Sequence, residues 1–257
     1  MGHDQHHVPL MKHYRSALPV PLAEAHPAMR GFEMRRVSTR AEWNEARAIR
    51  YETLAARGDI ARDEQRAYGD LHDEASNATT FLLSRDGEAL AATRSSASSA
   101  KQGSVPAMQA FPREIEAVAG TGATIVEASL MAVAPSAPVD PKTALIHLFK
   151  AHMLHCAAEA ADWLLVAVRD SQIGFYRRMF NMEILSGEER LPGLSAPRVL
   201  MGLDYREYAP LIFKRIPLLA VNDDDERDFL DSGVITFRDR RGALAVPRNV
   251  PALVAGD

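Results

Sequence analysis

Residues 124–134 read Thr-Ile-Val-Glu-Ala-Ser-Leu-Met-Ala-Val-Ala, and they begin the stretch 124–180 that decides the fold. The segment is apolar on both sides of a strand's alternation, which is typical of a strand covered on both faces of a sheet. Glu127 and Ser129 interrupt this pattern on one side. A carboxylate carried into a core must be compensated or useful, so Glu127 is the first candidate functional residue.

A helix, a strand and a second helix follow this segment. Asp140 and Pro141 suit the N-cap and the first position of a helix, because proline has no N–H to lose there. Residues 163–168, Trp-Leu-Leu-Val-Ala-Val, predict a short buried strand, and Asp170 is expected to cap a helix over 171–180. Two buried strands joined by one helix predict a parallel crossover connection.

This order of elements, with Phe-Tyr-Arg-Arg at 175–178, resembles the core of the GNAT (GCN5-related N-acyltransferase) fold. The resemblance implies an α/β (α+β) fold with a central mixed sheet flanked by helices, whose parallel strand pair splays apart around the pantetheine arm of an acyl thioester. It also implies that Tyr176 protonates the leaving thiolate, although its helical spacing with Ile173 and Met179 equally suits a core tyrosine. Residues 136–141, Ser-Ala-Pro-Val-Asp-Pro, lack the glycines that hold a pyrophosphate in acetyl-CoA enzymes, which argues against coenzyme A as donor.

Length and composition predict an ordinary globular protein. The chain has 257 residues, 47% hydrophobic and 25% charged, with a net charge of −4, which argues against a general nucleic-acid binder. It has no apolar run long enough for a membrane span, and its single cysteine excludes an internal disulfide, so we expect a cytoplasmic protein. The expected organisation is a flexible tail over 1–29, a GNAT-like acyltransferase domain over 30–205 and a small C-terminal appendage over 206–257.

The first half of the chain also predicts regular elements. Residues 32–37 favour a strand, and Thr39 with Glu42 forms a capping box for a helix that ends near Ala56. Arg85-Asp86-Gly87 indicates a hairpin turn. Further strands are expected at 79–84, 88–94, 182–186 and 197–204.

Five short motifs between 32 and 204 resemble those of N-acyl-homoserine lactone synthases and of FeeM-type N-acyl amino acid synthases, which use acyl carrier protein. They are Arg50-Tyr51, Asp70-Leu-His-Asp73-Glu74, Arg94, Met108 with Phe111, and Glu127-Ala-Ser129. Leu130 stands where the family has an arginine, and the acidic segment lacks the tryptophan of lactone synthases. These departures favour an amino acid N-acyltransferase over a lactone synthase.

The resemblance implies roles for these residues. An amine is mostly protonated near neutral pH, so acyl transfer needs a base, and Glu127 is the predicted base because burial raises the pKa of a carboxyl group. The alternative is that Glu127 pairs with Arg94 and only holds the sheet together. Arg50 and Arg94 are expected to bind an acceptor carboxylate, or else to pair with Glu127 and Asp73. The predicted catalytic residues are Glu127, Tyr176 and Ser129, and the predicted substrate-binding residues are Arg50, Asp73, Arg94, Met108, Phe111, Met131 and Val133.

Basic residues predict where a carrier protein docks. Lys142 and Lys150, with Arg177 and Arg178, are expected to offer a basic surface to the acidic carrier, or else to be solvated charges. Helical periodicity places Lys150 and His147 largely off the buried face of their helix. The nearby motif His152-x-x-His155-Cys156 has no further ligand at metal-site spacing, so no metal site is predicted.

The sequence therefore predicts an N-acyltransferase that moves a long-chain acyl group from acyl carrier protein to an amino acid or similar small amine. No bound cofactor is expected, and the co-substrate is an acyl carrier protein thioester or an acyl-CoA. Two alternatives stay open: an acetyl-CoA-dependent acetyltransferase, and a catalytically inactive binding module of the same fold.

Overall fold

A computed structural model describes residues 31–99, 103–120 and 122–236, so the predicted tail over 1–29 lies outside the described residues. The strands are β1 (Phe32–Arg36), β2 (Ala78–Arg85), β3 (Glu88–Ser98), β4 (Ile125–Val133), β5 (Trp163–Val168), β6 (Glu183–Glu189), β7 (Arg198–Asp204) and β8 (Val234–Thr236). The helices are α1 (Arg40–Ala56), α2 (Pro112–Ala119), α3 (Pro141–Ala158), α4 (Asp170–Phe180), α5 (Tyr205–Arg215) and α6 (Asp223–Asp231). Short 3₁₀ turns lie at Leu71–Glu74, Pro106–Gln109 and Pro217–Leu219.

All of these strands form one mixed sheet in the order β6-β7-β5-β4-β3-β2-β1-β8. The pair β4 and β5 is parallel, and the other neighbouring pairs are antiparallel. Helix α1 covers one face, where Ile49 packs with Leu82, Ala92 and Ala132. Helix α3 covers the other face, and its core residue Phe149 is fully buried. The predicted mixed sheet between helices is confirmed.

The parallel pair splays apart halfway along β4. Ladder pairing joins Ile125–Ala128 of β4 to 163–166 of β5 and goes no further, although both strands continue. Beyond this point Leu130 adopts φ +51°, a left-handed conformation that non-glycine residues rarely adopt, and the register between β3 and β4 shifts. A bulge of this kind moves the following residues to the opposite face. Val133 accordingly lies in the core on the α3 face, whereas strict alternation along 124–134 predicts that it shares the side of Glu127.

Local signals in the sequence set the helix starts. Thr39 and Glu42 form the predicted capping box, with Oε2 of Glu42 accepting from the Thr39 N–H at 2.9 Å. Hydrogen bonds from the Ser38 and Thr39 amides lower the pKa of Glu42 to about 2. Asp140 caps α3 as predicted, by accepting from the Thr143 N–H at 2.9 Å. Helix α4 begins one residue earlier than expected, so that Arg169 rather than Asp170 is its N-cap.

The C-terminal segment covers the outer side of α3. Strand β8 pairs with β1, and α6 packs against α3, where Nζ of Lys150 donates a 2.8 Å hydrogen bond to Asp225. Lys150 is therefore buried, because α6 provides a cover that the periodicity of α3 does not reveal. His147 is buried too, with its ring 4.4 Å from that of Phe32, so the prediction that both residues lie off the buried face is wrong. Within the described parts of the chain, no helix has the length and apolarity needed to cross a membrane.

Candidate active site

Glu127 occupies a fully enclosed position on β4, just before the splay. Its side chain is on the face that α1 covers, and the residue is 1% exposed. Oε2 accepts a 2.7 Å hydrogen bond from the Ala107 N–H in the 3₁₀ turn Pro106–Gln109. Burial raises the pKa of Glu127 to about 7, while the Ala107 hydrogen bond and the charge of Arg94 act in the opposite direction. A carboxyl group with this pKa exchanges protons readily near neutral pH.

Arg94 lies on β3 beside Glu127 but does not form an ion pair with it among the described residues. Its Nε donates to Oγ of Ser129 at 3.1 Å, and its Nη1 donates to Oδ1 of Asp73 at 3.1 Å. Both terminal nitrogens also contact the carboxylate of Asp70. Burial acts to raise the pKa of Asp70, yet the Arg94 contacts bring it below its ordinary value. Arg94 thus connects the strands to the acidic segment, and Glu127 stays outside this ion-pair network.

The acidic segment 70–74 turns inward as the 3₁₀ turn Leu71–Glu74. Asp73 accepts two hydrogen bonds from Nη1 of Arg50, at 2.8 and 3.0 Å, while Nη2 of Arg50 donates to Thr80 Oγ1 at 2.8 Å. Arg50 has no exposed side-chain surface, so its charge requires the carboxylate beside it. Asp73 pairs with both Arg50 and Arg94, as one of the two expectations for these arginines had it, and the ion pairs hold its side chain in the interior.

A cavity of about 100 Å³ opens at the splay of β4 and β5. Glu127, Ser129, Leu130 and Met131 line it from β4, and Val168 lines it from β5. It has room for several water molecules or a small polar group. The cavity therefore connects the buried carboxyl group with the gap between the two strands.

Tyr176 meets this cavity from α4. Its ring packs against Phe149 and Phe175, with centroids 5.8 and 5.3 Å away, and the residue is 2% exposed. Burial raises the pKa of Tyr176, with a smaller opposing effect from the charge of Arg57. Tyr176 is a core residue and also lines the cavity, so it occupies the core position that helical spacing predicted, and its role as an acid stays a prediction.

The apolar residues that were predicted to bind substrate lie in three different places. Met131 lines the cavity. Phe111 is fully buried in a core cluster with Ile115, and Met108 packs on the same cluster. Val133 is on the α3 face and accepts a hydrogen bond from Thr53 through its carbonyl oxygen. The structure thus brings Met131 to the site and gives Phe111 and Val133 positions in the core.

The four residues that were predicted to contact a carrier protein differ in their exposure. Lys142, Arg177 and Arg178 are exposed. Lys150 is 3% exposed and is bound to Asp225, so the prediction that it contacts a carrier protein is wrong. The basic surface that can meet a partner consists of the other three side chains.

Two histidines of α3 form hydrogen bonds with side chains of β3. His152 shares a 3.0 Å hydrogen bond with Thr93, and His155 shares a 2.7 Å hydrogen bond with Ser95. Among the described residues, no group of three or more histidine, cysteine, aspartate or glutamate side chains is arranged to hold a metal ion.

Sequence reasoning missed a second charged group on the cavity wall. Its members are Arg57, Asp59, Arg169 and Arg198, which all line the cavity, although Arg169 and Arg198 are more than a hundred residues from the other two in the chain. Arg169 follows the predicted strand 163–168 directly, and Arg198 is at the start of another predicted strand. Charged residues at the ends of strands were therefore the signal that could have found them.

Comparisons with known proteins agree with this architecture. A family model described as N-acyl amino acid synthase FeeM matches residues 45–204. The solved structure of FeeM, an N-acyl amino acid synthase from uncultured soil microbes, is 21% identical, with a TM-score of 0.59, and the match covers 69% of this chain and 92% of that one. The AHL synthase LasI is 12% identical, with a TM-score of 0.57, over 75% of this chain and 97% of its own.

A CoA-dependent acyl-homoserine lactone synthase, BjaI, solved with SAM and isopentyl-CoA, is also similar. It is 13% identical, with a TM-score of 0.51, over 73% of this chain and 90% of its own. At these levels of sequence identity, the three solved structures show that the fold is shared. A search of curated proteins finds no match.

Proposed function

The chain belongs to the FeeM family of N-acyl amino acid synthases, and on this premise we propose that it transfers an acyl group from an acyl carrier protein thioester to the amino group of an amino acid. It is an acyltransferase, and the finer choice of donor and acceptor is the proposal. The observation that carries it is Glu127, a buried carboxyl group with a pKa of about 7 that lines a cavity at the splayed strands.

The reaction needs a base for the amine and an acid for the sulfur. Glu127 takes a proton from the ammonium group, and the freed nitrogen lone pair attacks the thioester carbon. The C–S bond then breaks: Tyr176 gives its proton to the leaving sulfur, the nitrogen returns its remaining extra proton to the tyrosinate, and Glu127 releases its proton to solvent. The raised pKa of Tyr176 keeps the hydroxyl protonated, as an acid must be. We propose that Ser129 has a positioning role, because its hydroxyl holds Arg94 beside Glu127.

The loop between β4 and α3 supports a carrier protein as donor. Coenzyme A needs donors for its pyrophosphate, but the Ala137 and Val139 amides already bond to backbone carbonyls within the loop, at 2.9 and 2.8 Å. The carboxylate of Asp140 accepts a hydrogen bond from the Thr143 N–H, so this amide is not available to a pyrophosphate. The same carboxylate places a negative charge at the start of α3. An acyl carrier protein presents one bridging phosphate on an acidic surface, which exposed Lys142, Arg177 and Arg178 suit better.

Product analysis tests the proposal. Purified protein is incubated with acylated carrier protein and a mixture of amino acids, in parallel with the same chain on coenzyme A, and products are read by mass spectrometry. We expect an N-acyl amino acid from the carrier donor, and product formation slower by about 10²-fold or more from Glu127→Gln under the same conditions.

Two outcomes would contradict the proposal. Acetylated amine from acetyl-CoA, without product from the carrier thioester, would indicate an acetyltransferase. Binding of acyl thioesters without turnover of any donor would indicate an inactive binding module.

A further inference from the structure

Three arginines surround one buried carboxylate at the end of α1. Asp59 is 1% exposed, and its Oδ1 accepts hydrogen bonds from Nη2 of Arg169 at 2.7 Å and from Nη2 of Arg198 at 2.6 Å. The third arginine, Arg57, interacts electrostatically with Asp59 and with both of these arginines. We call Arg57, Asp59, Arg169 and Arg198 the arginine cluster.

Positive charge exceeds negative charge in the arginine cluster. Three guanidinium groups face the single carboxylate of Asp59, and the guanidinium of Arg57 donates no hydrogen bond to any residue within 31–99, 103–120 and 122–236. Arginine stays charged even where burial lowers its pKa, as it does for Arg57. Partly desolvated positive charge without a counterion attracts an anion strongly.

The other arginines of the site have no such excess. Arg50 is matched by Asp73, and Arg94 is matched by Asp70 and Asp73. Two positive charges thus meet two negative charges, and both guanidinium groups are held in hydrogen bonds. The expectation that Arg50 and Arg94 bind the acceptor carboxylate loses its physical basis, because neither has charge to spare.

Hydrogen bonds fix the backbone that carries Arg57 and Asp59. Ser195 joins the loop before β7 to the end of α1, since its N–H donates to the Asp59 carbonyl at 2.8 Å and its hydroxyl donates to the Gly58 carbonyl at 2.7 Å. Arg169 also donates to the carbonyl of Arg57 at 2.8 Å. A site fixed by such contacts loses little conformational freedom when a ligand binds.

We infer that Arg57, within the arginine cluster, binds the carboxylate of the amino acid acceptor, an inference that rests on the proposed function. The cluster lines the same cavity as Glu127 and Tyr176, so an acceptor held there lies in the reaction chamber. The phosphopantetheine of the acyl carrier protein also carries an oxyanion, its phosphate. That phosphate is attached to the surface of the carrier protein, which is too large to enter the cavity. A cavity of about 100 Å³ suits the small acceptor instead.

Steady-state kinetics with Arg57→Gln tests the inference. We expect the KM for the amino acid to rise about 10- to 100-fold, the loss that corresponds to one hydrogen bond between charged groups, while the KM for the acyl donor stays the same. With the carboxamide of the same amino acid as acceptor, the wild type and the variant should have similar KM values. Arg66→Gln is the matched control, because Arg66 is an exposed arginine paired with Glu52.

The Arg57 guanidinium donates no hydrogen bond to the described residues, so the variant is expected to fold, which thermal unfolding checks. An unchanged KM for the amino acid overturns the inference. A rise in the KM for the acyl donor alone also overturns it and assigns the arginine cluster to the phosphate.

A binding measurement separates this inference from the proposed function. Calorimetry with an N-acyl amino acid and with its carboxamide requires no turnover. Binding of the acid that depends on Arg57, in a protein that transfers no acyl group, would uphold the carboxylate site and refute the proposed function. Turnover with equal binding of the acid and the carboxamide would uphold the proposed function and refute the carboxylate site.

Discussion

Arg50 donates two hydrogen bonds to the carboxylate of Asp73, 2.8 and 3.0 Å long, from a position with no exposed side-chain surface. Asp73 also accepts from Arg94, so one carboxylate joins α1, β3 and the 3₁₀ turn Leu71–Glu74. Removal of this carboxylate would leave two buried cations short of a counterion. The pair therefore fixes the turn that carries Asp70 to the cavity wall.

Asp73→Asn is expected to lower the free energy of unfolding by about 3–5 kcal/mol, because the substitution leaves the Arg50 charge buried and unpaired. Asp70→Asn is the matched control. The Asp70 side chain is 32% exposed against 8% for Asp73, so solvent can partly replace it and the loss should be smaller. Urea unfolding of both variants measures the difference. Equal losses would contradict the assignment of Asp73 as the central counterion.

Glu127→Gln should lower kcat by about 10²-fold or more, since a positioned base contributes on this scale. Glutamine keeps the size of the side chain and can still accept from the Ala107 N–H, so thermal unfolding should be close to that of the wild type. Single-turnover acyl transfer with the folded variant is the measurement. Wild-type turnover would exclude Glu127 as the base.

The pH dependence of kcat provides a separate test of Glu127. Burial raises its pKa to about 7, and the base is the carboxylate, so kcat should rise with pH through about 7 and then level off. The acceptor amine also titrates, so the profile should be repeated with an acceptor of different amine pKa. An inflection that stays near 7 belongs to Glu127, whereas one that moves with the acceptor belongs to the amine.

Much of this site could be predicted from the sequence because its signals are local. The polar Glu127 within an apolar strand indicated a buried carboxyl group, and the capping box of Thr39 with Glu42 located α1. The bulge at Leu130 could not be predicted in this way, since a left-handed leucine leaves no mark in hydrophobic alternation. The bulge moved Val133 to the other face and opened the splay.

Most of the other features that the sequence does not predict depend on contacts between residues distant in the chain. Asp59 meets Arg169 and Arg198 across more than a hundred residues of chain, and no spacing rule connects them. Lys150 is a surface lysine by helical periodicity, and only its cover by α6 makes it a buried one. These two ion-pair groups could therefore not be predicted from the sequence, in contrast to the pairing of Asp73 with Arg50 and Arg94.

The buried histidines predict how stability changes with acid. Burial lowers the pKa of His152 to about 3 and that of His155 to about 4, from an ordinary 6.5. At these two positions the unfolded chain binds more protons than the folded chain below about pH 6.5, so the contribution of the two histidines to the free energy of unfolding should fall as pH falls towards 4. Two such groups give a slope of at most about 2.7 kcal/mol per pH unit. Glu127, whose pKa is raised from 4.5 to about 7, contributes in the opposite direction between these two values.

Urea unfolding between pH 7 and 4 measures this slope for the wild type and for His155→Gln. Glutamine can keep a hydrogen bond to Ser95 but does not titrate. The variant should lose about half of the slope that the two histidines contribute. A slope that is the same in both proteins would show that His155 does not take up a proton on unfolding.

Two lysines of α3 allow a test of the donor within one helix. Lys142 is exposed near its start, whereas Lys150 is buried and donates to Asp225 at 2.8 Å. Lys142→Ala should raise the KM for the acyl carrier protein and leave unfolding unchanged. Lys150→Ala should lower the free energy of unfolding, because it leaves Asp225 without this cation, and should leave the KM for the carrier unchanged in the folded fraction.

Charge reversal on α4 extends the same test. Replacing exposed Arg177 and Arg178 with glutamate should raise the KM for the carrier protein chiefly, and wild-type activity with the carrier should fall as added salt screens these charges. Acyl-CoA with the same acyl chain is the control donor, since it lacks the acidic protein surface, and its KM should change less. Steady-state kinetics with both donors at two ionic strengths measures the effect. Equal efficiency with acyl-CoA, insensitive to salt and to the double reversal, would refute the carrier protein as donor.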